Sequence, residues 1–144
     1  MPLLQLSIQG YGRFAGLPAR ATLTRWIAAT LDRDAAIVLR FVDAREGRRL
    51  NREFRGKDYA TDVLTFAYEQ APAVRADIVI CPAVVRQATR SLRRPLRERL
   101  AHLVVHATLH ALGHEHHRSA AARVMEAREV AILARLGFAD PYLF

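Results

Sequence analysis

The sequence has little of what marks a secreted or membrane-spanning protein. It contains one cysteine, Cys81, in 144 residues, so no intrachain disulfide can form. No apolar run approaches the roughly 18 residues that a spanning helix needs, and residues 1–16 lack the basic start and small-residue cleavage site of a secretory signal. We therefore expect a cytoplasmic protein with no membrane partner, in which Cys81 is a small buried hydrophobic residue.

Lysine is also scarce. Lys57 is the only lysine among 22 cationic residues, and the 14 acidic residues leave a formal net charge of +8. The planar guanidinium of arginine donates two parallel hydrogen bonds to phosphate, whereas the lysine ammonium acts as a point charge. The composition therefore favours a nucleic-acid partner, although a codon bias toward arginine or a need for solubility would produce the same excess.

Internal repeats and tracts of Gly, Ser or Pro are absent, which excludes repetitive and disordered architectures. The periodicity of apolar residues predicts strands over 3–10, 35–43, 62–69 and 76–81 and helices over 18–32, 44–56, 82–92, 95–113 and 119–137. Leu50 and Phe54 are the expected buried points of the polar helix 44–56. This order predicts one α+β domain, residues 1–144, with a small mixed four-stranded sheet packed with about five α-helices.

Five of the six histidines lie in "VVHATLHALGHEHHR", residues 104–118. The helix that contains them is apolar on most sides, so we expect it to be buried and central. His106 and His110 are four residues apart, which places both imidazoles on one face within reach of one metal ion. Gly113 permits a left-handed turn after which His116 can supply a third imidazole. His114 and His117 flank His116 and leave the register of the third ligand open.

Three imidazoles are the donor set of a catalytic zinc site, in which a fourth position stays open for water or substrate. His102 lies one turn earlier on the same face, and we expect it to be a hydrogen-bonded helix residue outside the ligand set. In the H-E-x-x-H motif of zinc proteases the residue after the first histidine is the general base. Here that residue is Ala107. The pattern thus predicts a metal site without the usual protease base, and Glu115 supplies a carboxylate from a different place.

At these residues the chain resembles the YbeY family of bacterial endoribonucleases. "VVHATLHALGHEHH" is similar to the family motif H-G-x-L-H-L-x-G-Y-D-H, with His106, His110 and His116 on its three metal histidines. "LNREFRGKDYATDVLTFAY", residues 50–68, is similar to L-N-x-x-Y-R-x-K-D-x-x-T-D-V-L-S-F, and "ADIVICPAVV" and "ILARLGFADPY" also have counterparts. The likeness spans about residues 50–142. The departures from the family pattern are Ala107 for Gly, His114 for Tyr, Glu115 for Asp, Phe54 for Tyr and Thr65 for Ser.

The resemblance implies a zinc-dependent, single-strand-specific endoribonuclease that matures ribosomal RNA, especially the 3′ end of the small-subunit RNA, and acts in ribosome quality control. It implies one Zn²⁺ per chain on His106, His110 and His116, with His114 and Glu115 supporting the ligands. The implied partners are single-stranded or ribosomal RNA and the ribosome or its small-subunit proteins, and no DNA is expected.

The family's functional arginine falls on Arg55. Arg55 precedes Gly56 in "RGKD", a turn where a guanidinium can bind a scissile phosphate, and Lys57 is a further expected RNA contact. The alternative for Arg55 is a surface ion pair with Glu53 or Asp58. For a further group of arginines a solvated role is as good an interpretation as RNA contact: Arg48, Arg49, Arg93, Arg94, Arg97 and Arg99.

Two other functions fit the same residues. One is a zinc metallo-hydrolase that acts on peptides or small molecules. The other is a ribosome-associated RNA-binding module with a structural zinc, in which His114 or His117 closes a four-ligand site.

Overall fold

The computed structural model describes residues 1–115 and 117–143. Within them the chain forms four strands and five α-helices, with a short 3-10 turn after the first strand. The strands are β1 (Leu4–Gln9), β2 (Ala35–Phe41), β3 (Val63–Glu69) and β4 (Val74–Ile80). The helices are α1 (Arg20–Thr30), α2 (Ala44–Arg55), α3 (Pro82–Leu92), α4 (Leu96–Ala111) and α5 (Ser119–Arg135). The predicted α+β class and element order are confirmed, and the boundaries differ by only a few residues.

The sheet is mixed, as the sequence predicts, with strand order β1-β2-β4-β3. β1 pairs with β2 and β2 pairs with β4 in parallel, while β3 runs antiparallel to β4. The antiparallel pair arises because only residues 70–73 connect these two strands, a length that permits a hairpin but not a crossover. β3 is an edge strand, because it comes last in the strand order, and it lies beside the site described below.

The main core fills the space between one face of the sheet and four helices. α1 contributes Leu23, Trp26 and Ile27, which recur at helical spacing and are fully buried. α4 is the central helix, since it packs against α1, α3 and α5 as well as β3 and β4. It is buried as expected, with Leu100, Val104 and Leu109 among its inaccessible side chains.

No helix in the described ranges is both long enough and apolar enough to traverse a bilayer.

α2 packs on part of the opposite face of the sheet. The side chain of Asp43 caps this helix by accepting a hydrogen bond from the Glu46 backbone N–H at 2.8 Å, which satisfies one otherwise unpaired donor. Leu50 is buried against this face in a small cluster that also contains Val79 and Cys81. Cys81 is 1% exposed, as expected for a buried hydrophobic residue. Desolvation raises the pKa of its thiol, so it is a poor nucleophile.

The prediction that Phe54 is a buried point of α2 is wrong. Phe54 is 62% exposed, although its ring makes an edge-to-face contact with Phe66 of β3 at a centroid distance of 5.3 Å. The physical reason is that this face of the sheet carries only the small cluster around Leu50. Helical spacing identified the side of α2 that faces the sheet, but the cluster does not extend to the last turn of the helix.

Truncation of the α1 core is expected to destabilise the protein strongly. Leu23→Ala should lower the free energy of unfolding by about 2–5 kcal/mol, because it removes a fully buried side chain and leaves a cavity between α1 and α4. Leu3→Ala is the control, since Leu3 is 72% exposed, and it should change the free energy by less than about 0.5 kcal/mol. Urea unfolding followed by the fluorescence of Trp26, the only tryptophan, measures both. Equal effects of the two substitutions would contradict the placement of α1.

Candidate metal centre

Three histidines follow one another at four-residue spacing along one face of α4. The ring centroids of His102 and His106 lie 6.0 Å apart, and those of His106 and His110 lie 5.8 Å apart. All three side chains are half-buried on a helix that is otherwise mostly core. Two imidazoles on one tetrahedral zinc have centroids roughly 5 Å apart, because the Zn–N distance is about 2.1 Å. Ring spacing therefore allows either pair to share an ion and does not by itself select one.

The turn after α4 has the geometry that the sequence predicts. Gly113 has a φ of +104°, a conformation that favours glycine. The backbone N–H of Gly113 donates to the carbonyl of His110 at 3.0 Å, and that of His114 donates to the carbonyl of Leu109 at 3.1 Å. The helix therefore ends in a turn at Gly113, shortly after His110. His116, the predicted third ligand, lies outside the described residues.

A buried glutamate from α5 faces the histidines. The side chain of Glu129 is 0% exposed, and its two oxygens contact different rings. Oε1 lies 3.0 Å from Nδ1 of His106, and Oε2 lies 2.6 Å from Nε2 of His102. Burial alone would raise the pKa of Glu129, but the hydrogen bonds from His102 and His106 and the electrostatic interaction with the two rings lower it to about 2. Glu129 is therefore an ionised acceptor for both imidazoles.

Further side chains hold Glu129 and His102 in place. The Tyr142 hydroxyl donates to Oε2 of Glu129 at 2.9 Å, and burial followed by the adjacent carboxylate raises the pKa of Tyr142 above its usual value. Arg99 lies 3.4 Å from Nδ1 of His102 and also pairs with Asp62 at 3.2 Å. His102 is thus a hydrogen-bonded helix residue, as expected from the sequence.

The sequence reasoning missed Glu129, although a signal for it exists. The buried face of α5 consists of Met125, Glu129, Ile132 and Leu133, at positions i, i+4, i+7 and i+8. A carboxylate in the middle of an apolar stripe needs partners, because an isolated buried charge is very costly. Histidines on a neighbouring buried helix are such partners. The pairing joins residues 23 and 27 positions apart, however, and helical periodicity does not specify which helices pack together.

The described residues contain one group whose side chains could hold a metal ion, namely His102, His106 and Glu129. Their potential ligand atoms all lie within 4.8 Å of one another. The structure is therefore compatible with a metal site on the histidine face of α4. The predicted set of His106, His110 and His116 shares only His106 with this group, so His106 belongs to both arrangements.

The residues around the predicted third ligand differ in their exposure. His114 is half-buried in the turn after α4, whereas Glu115 and His117 are exposed. Ala107, at the position of the protease base, is 1% exposed within the core. Among the described residues, Glu129 is a carboxylate that contacts histidine rings of α4, at 2.6 and 3.0 Å.

Arg55 lies at the last turn of α2, which ends at Gly56 with a φ of +69°. One guanidinium nitrogen of Arg55 donates to the backbone carbonyl of Thr65 in β3 at 3.4 Å. The alternative ion pairs of Arg55 do not form among residues 1–115 and 117–143, because Glu53 pairs with Arg49 and Asp58 pairs with Arg48 and Arg52. Arg55 and Lys57 are both exposed. Arg55 therefore anchors on the strand against which the histidine helix packs, and its charge faces solvent.

The comparisons with known proteins decide the family. Residues 19–137 match the sequence model of the family described as endoribonuclease YbeY. The chain belongs to this family. It is 51% identical to an endoribonuclease YbeY of Cupriavidus pinatubonensis, an alignment that covers 98% of this chain and 73% of the relative. It is also 51% identical to the endoribonuclease YbeY of Delftia acidovorans, over 96% of this chain and 95% of the relative.

The solution structure of TM1509 from Thermotoga maritima has a similar fold. The TM-score is 0.60 at 22% identity, and the match covers 97% of this chain and 100% of the other. At that identity the likeness concerns the fold alone. It confirms the α+β architecture that the sequence predicts, while the family model and the YbeY relatives confirm the predicted family. The predicted enzyme class, an endoribonuclease, is the class after which this family is named.

Proposed function

We propose that this YbeY chain is a zinc-dependent, single-strand-specific endoribonuclease. The observation that carries the proposal is the row of half-buried imidazoles on α4, of which His106 is fixed by the buried carboxylate of Glu129. Such an arrangement is typical of metal-binding histidines, which almost always donate their second ring N–H to an oriented acceptor. Membership in a family of endoribonucleases and a net charge of +8 support RNA as the substrate.

The assigned ligands are His106, His110 and His116, with one Zn²⁺ per chain. The residues described here fit such an ion, because imidazole nitrogen is a preferred zinc donor and two of the three rings stand on adjacent turns of a rigid helix. When bound, zinc supplies Lewis acidity that polarises a phosphate oxygen or activates water. In this proposal His114 and Glu115 would support the metal ligands.

Arg55 is the second catalytic residue of the proposal. Its guanidinium would stabilise the charge that develops on the oxygens of the scissile phosphate, since a planar donor pair matches two phosphate oxygens. The hydrogen bond from Arg55 to the Thr65 carbonyl supports this assignment, because β3 is a strand against which the histidine helix packs. Lys57, exposed on the same turn, would contact the RNA backbone as a point charge.

We further propose the cellular role that the family resemblance implies. Residues 1–144 would form one endoribonuclease domain that works in the cytoplasm on ribosomal RNA, at the 3′ end of the small-subunit RNA, and in ribosome quality control. The ribosome or small-subunit proteins would be its partners, and DNA and membranes would not. Ala107 supports RNA over peptide as the substrate, because no carboxylate stands at the position of the zinc-protease base.

A metal-removal experiment tests the proposed function. Protein treated with a chelator should lose at least about a hundredfold in the rate of single-stranded RNA cleavage, because a Lewis acid contributes several kcal/mol to the transition state. Reloading with zinc should restore the rate, and duplex RNA of the same sequence should stay intact. Peptide cleavage by the zinc form, or RNA binding without cleavage in a closed zinc site, would reject the proposal in favour of a metallo-hydrolase or a binding module.

A further inference from the structure

Glu129 bridges two histidines of α4 from a neighbouring helix. Its carboxylate is fully buried and contacts three groups. Oε1 contacts Nδ1 of His106, and Oε2 contacts both Nε2 of His102 and the Tyr142 hydroxyl. A carboxylate has only acceptor sites, so each of these groups must present a hydrogen to it. The contacts therefore specify where the ring protons lie.

On His106 the proton lies on Nδ1, because that nitrogen faces Oε1. In a neutral imidazole the other nitrogen, Nε2, then carries the lone pair. A metal ion binds only the ring nitrogen that carries the lone pair. Glu129 thus selects the tautomer in which Nε2 of His106 is the metal donor, and it fixes the rotation of the ring.

On His102 the opposite tautomer is specified. Nε2 donates to Glu129, while Nδ1 lies 3.4 Å from the guanidinium of Arg99, which can only donate. Both nitrogens of His102 are therefore engaged by the protein. The contacts with Arg99 and Tyr142 hold His102 in this state and fix Oε2 of Glu129 as an acceptor.

Glu129 makes hydrogen bonds at these distances and is not spaced as a metal ligand. Two donors on one tetrahedral zinc are about 3.4 Å apart, since each lies about 2.0–2.1 Å from the ion. Oε2 of Glu129 and Nε2 of His102 are 2.6 Å apart, which is a charge-assisted hydrogen bond. In this arrangement Glu129 therefore contacts His102 and His106 through hydrogen bonds and supports His106 without itself acting as a ligand.

We propose that Glu129 is a positioning residue that imposes the Nδ1–H tautomer on His106, with His102 and Tyr142 as its anchors. The proposal rests on the proposed function for the role of His106 as a zinc ligand, but the tautomer itself does not depend on metal. Such supporting acceptors typically contribute 10- to 100-fold to metal affinity.

Glu129→Gln makes a specific change at this site. An amide has one oxygen and one NH₂ group. Nδ1 of His102 faces the donor-only guanidinium of Arg99, so its Nε2–H requires the amide oxygen, to which the Tyr142 hydroxyl can also donate. The NH₂ group then faces His106 and forces Nδ1 to accept, which moves the ring proton to Nε2. Glu126→Gln is the matched control, because Glu126 is an exposed glutamate one turn earlier on the same helix.

Nitrogen-15 NMR of the histidine rings in metal-free protein tests the tautomer directly. Wild type and Glu126→Gln should show Nδ1–H for His106 and Nε2–H for His102, and Glu129→Gln should show Nε2–H for His106. If His106 has the same tautomer in folded Glu129→Gln as in wild type, the proposal is overturned. If Glu129→Gln fails to fold, the wild-type spectrum still decides the matter, because the intact carboxylate can only accept a hydrogen bond from His106. An Nε2–H signal for His106 in metal-free wild type would overturn the proposal.

Zinc affinity, measured by competition with a chromophoric chelator, distinguishes failure of the proposed function from failure of the role proposed for Glu129. Glu129→Gln should bind zinc 10- to 100-fold more weakly than wild type, and Glu126→Gln should match wild type. Wild type that binds no zinc would reject the proposed function while the tautomer experiment still decides the role of Glu129. Zinc affinity of Glu129→Gln within twofold of a zinc-binding wild type would overturn this inference alone.

Discussion

His110→Ala is expected to abolish zinc binding and RNA cleavage together. His110 supplies one of three assigned donors, and its ring stands beside that of His106 on the next turn of α4. A zinc site is worth roughly 10–16 kcal/mol, so the loss of one donor among three or four should weaken affinity by at least about a hundredfold. Metal content after dialysis and single-turnover cleavage of labelled single-stranded RNA measure the two losses.

His117→Ala is the control for His110→Ala, because His117 is an exposed histidine that lies outside the assigned ligand set. It should keep both zinc and activity. Retention of zinc by His110→Ala would contradict the assigned ligands and favour the group of His102, His106 and Glu129 instead. Loss of zinc by His117→Ala would move the third or fourth ligand to that residue.

Arg55→Ala is expected to separate catalysis from metal binding. The substitution removes the charge proposed to stabilise the transition state, so the cleavage rate should fall about 100- to 1,000-fold, the effect typical of losing one such donor. Zinc affinity should stay within twofold of wild type, because Arg55 ends α2 and is not among the assigned ligands, two of which lie on α4. Single-turnover kinetics with zinc in excess measure the rate, and chelator competition measures the affinity.

Two further arginine variants make the Arg55 result specific. Arg49→Ala removes the same charge from the same helix at a residue that pairs with Glu46 and Glu53, and it should leave the cleavage rate nearly unchanged. Arg55→Lys keeps the charge without the planar donor pair, so it should recover only part of the lost rate. Full activity of Arg55→Ala would remove Arg55 from the catalytic assignment.

The fold was predictable from the sequence because its elements are set by local patterns. Apolar periodicity located the strands and helices, and Gly56 and Gly113 ended α2 and α4 where a left-handed residue was expected. The central position of α4 followed from its apolar surface on most sides. Phe54 was misjudged because periodicity indicates the side of a helix that faces the sheet, not how far the core extends along that side.

The candidate site was predictable only in part. The spacing of His106 and His110 is a property of one helix, so the sequence specified it. The bridge from Glu129 to His102 and His106 depends on how α5 packs on α4, and Tyr142 joins it from 40 residues beyond His102. These contacts have no local pattern, since their residues meet only after the core has formed. The family resemblance supplied His116 and Arg55, which periodicity alone did not assign.

The imidazoles of His102, His106 and His110 lie on α4, the helix that contacts most other elements of the core. Substitutions that destabilise the core are therefore expected to affect activity as well. α4 touches α1, α3, α5 and two strands, so a void opened beside any of these neighbours shifts the rings relative to Glu129. A displacement of a few tenths of an ångström is enough to weaken a short charge-assisted hydrogen bond. Some substitutions in the interior beside α4 should therefore lower catalysis in protein that is still folded.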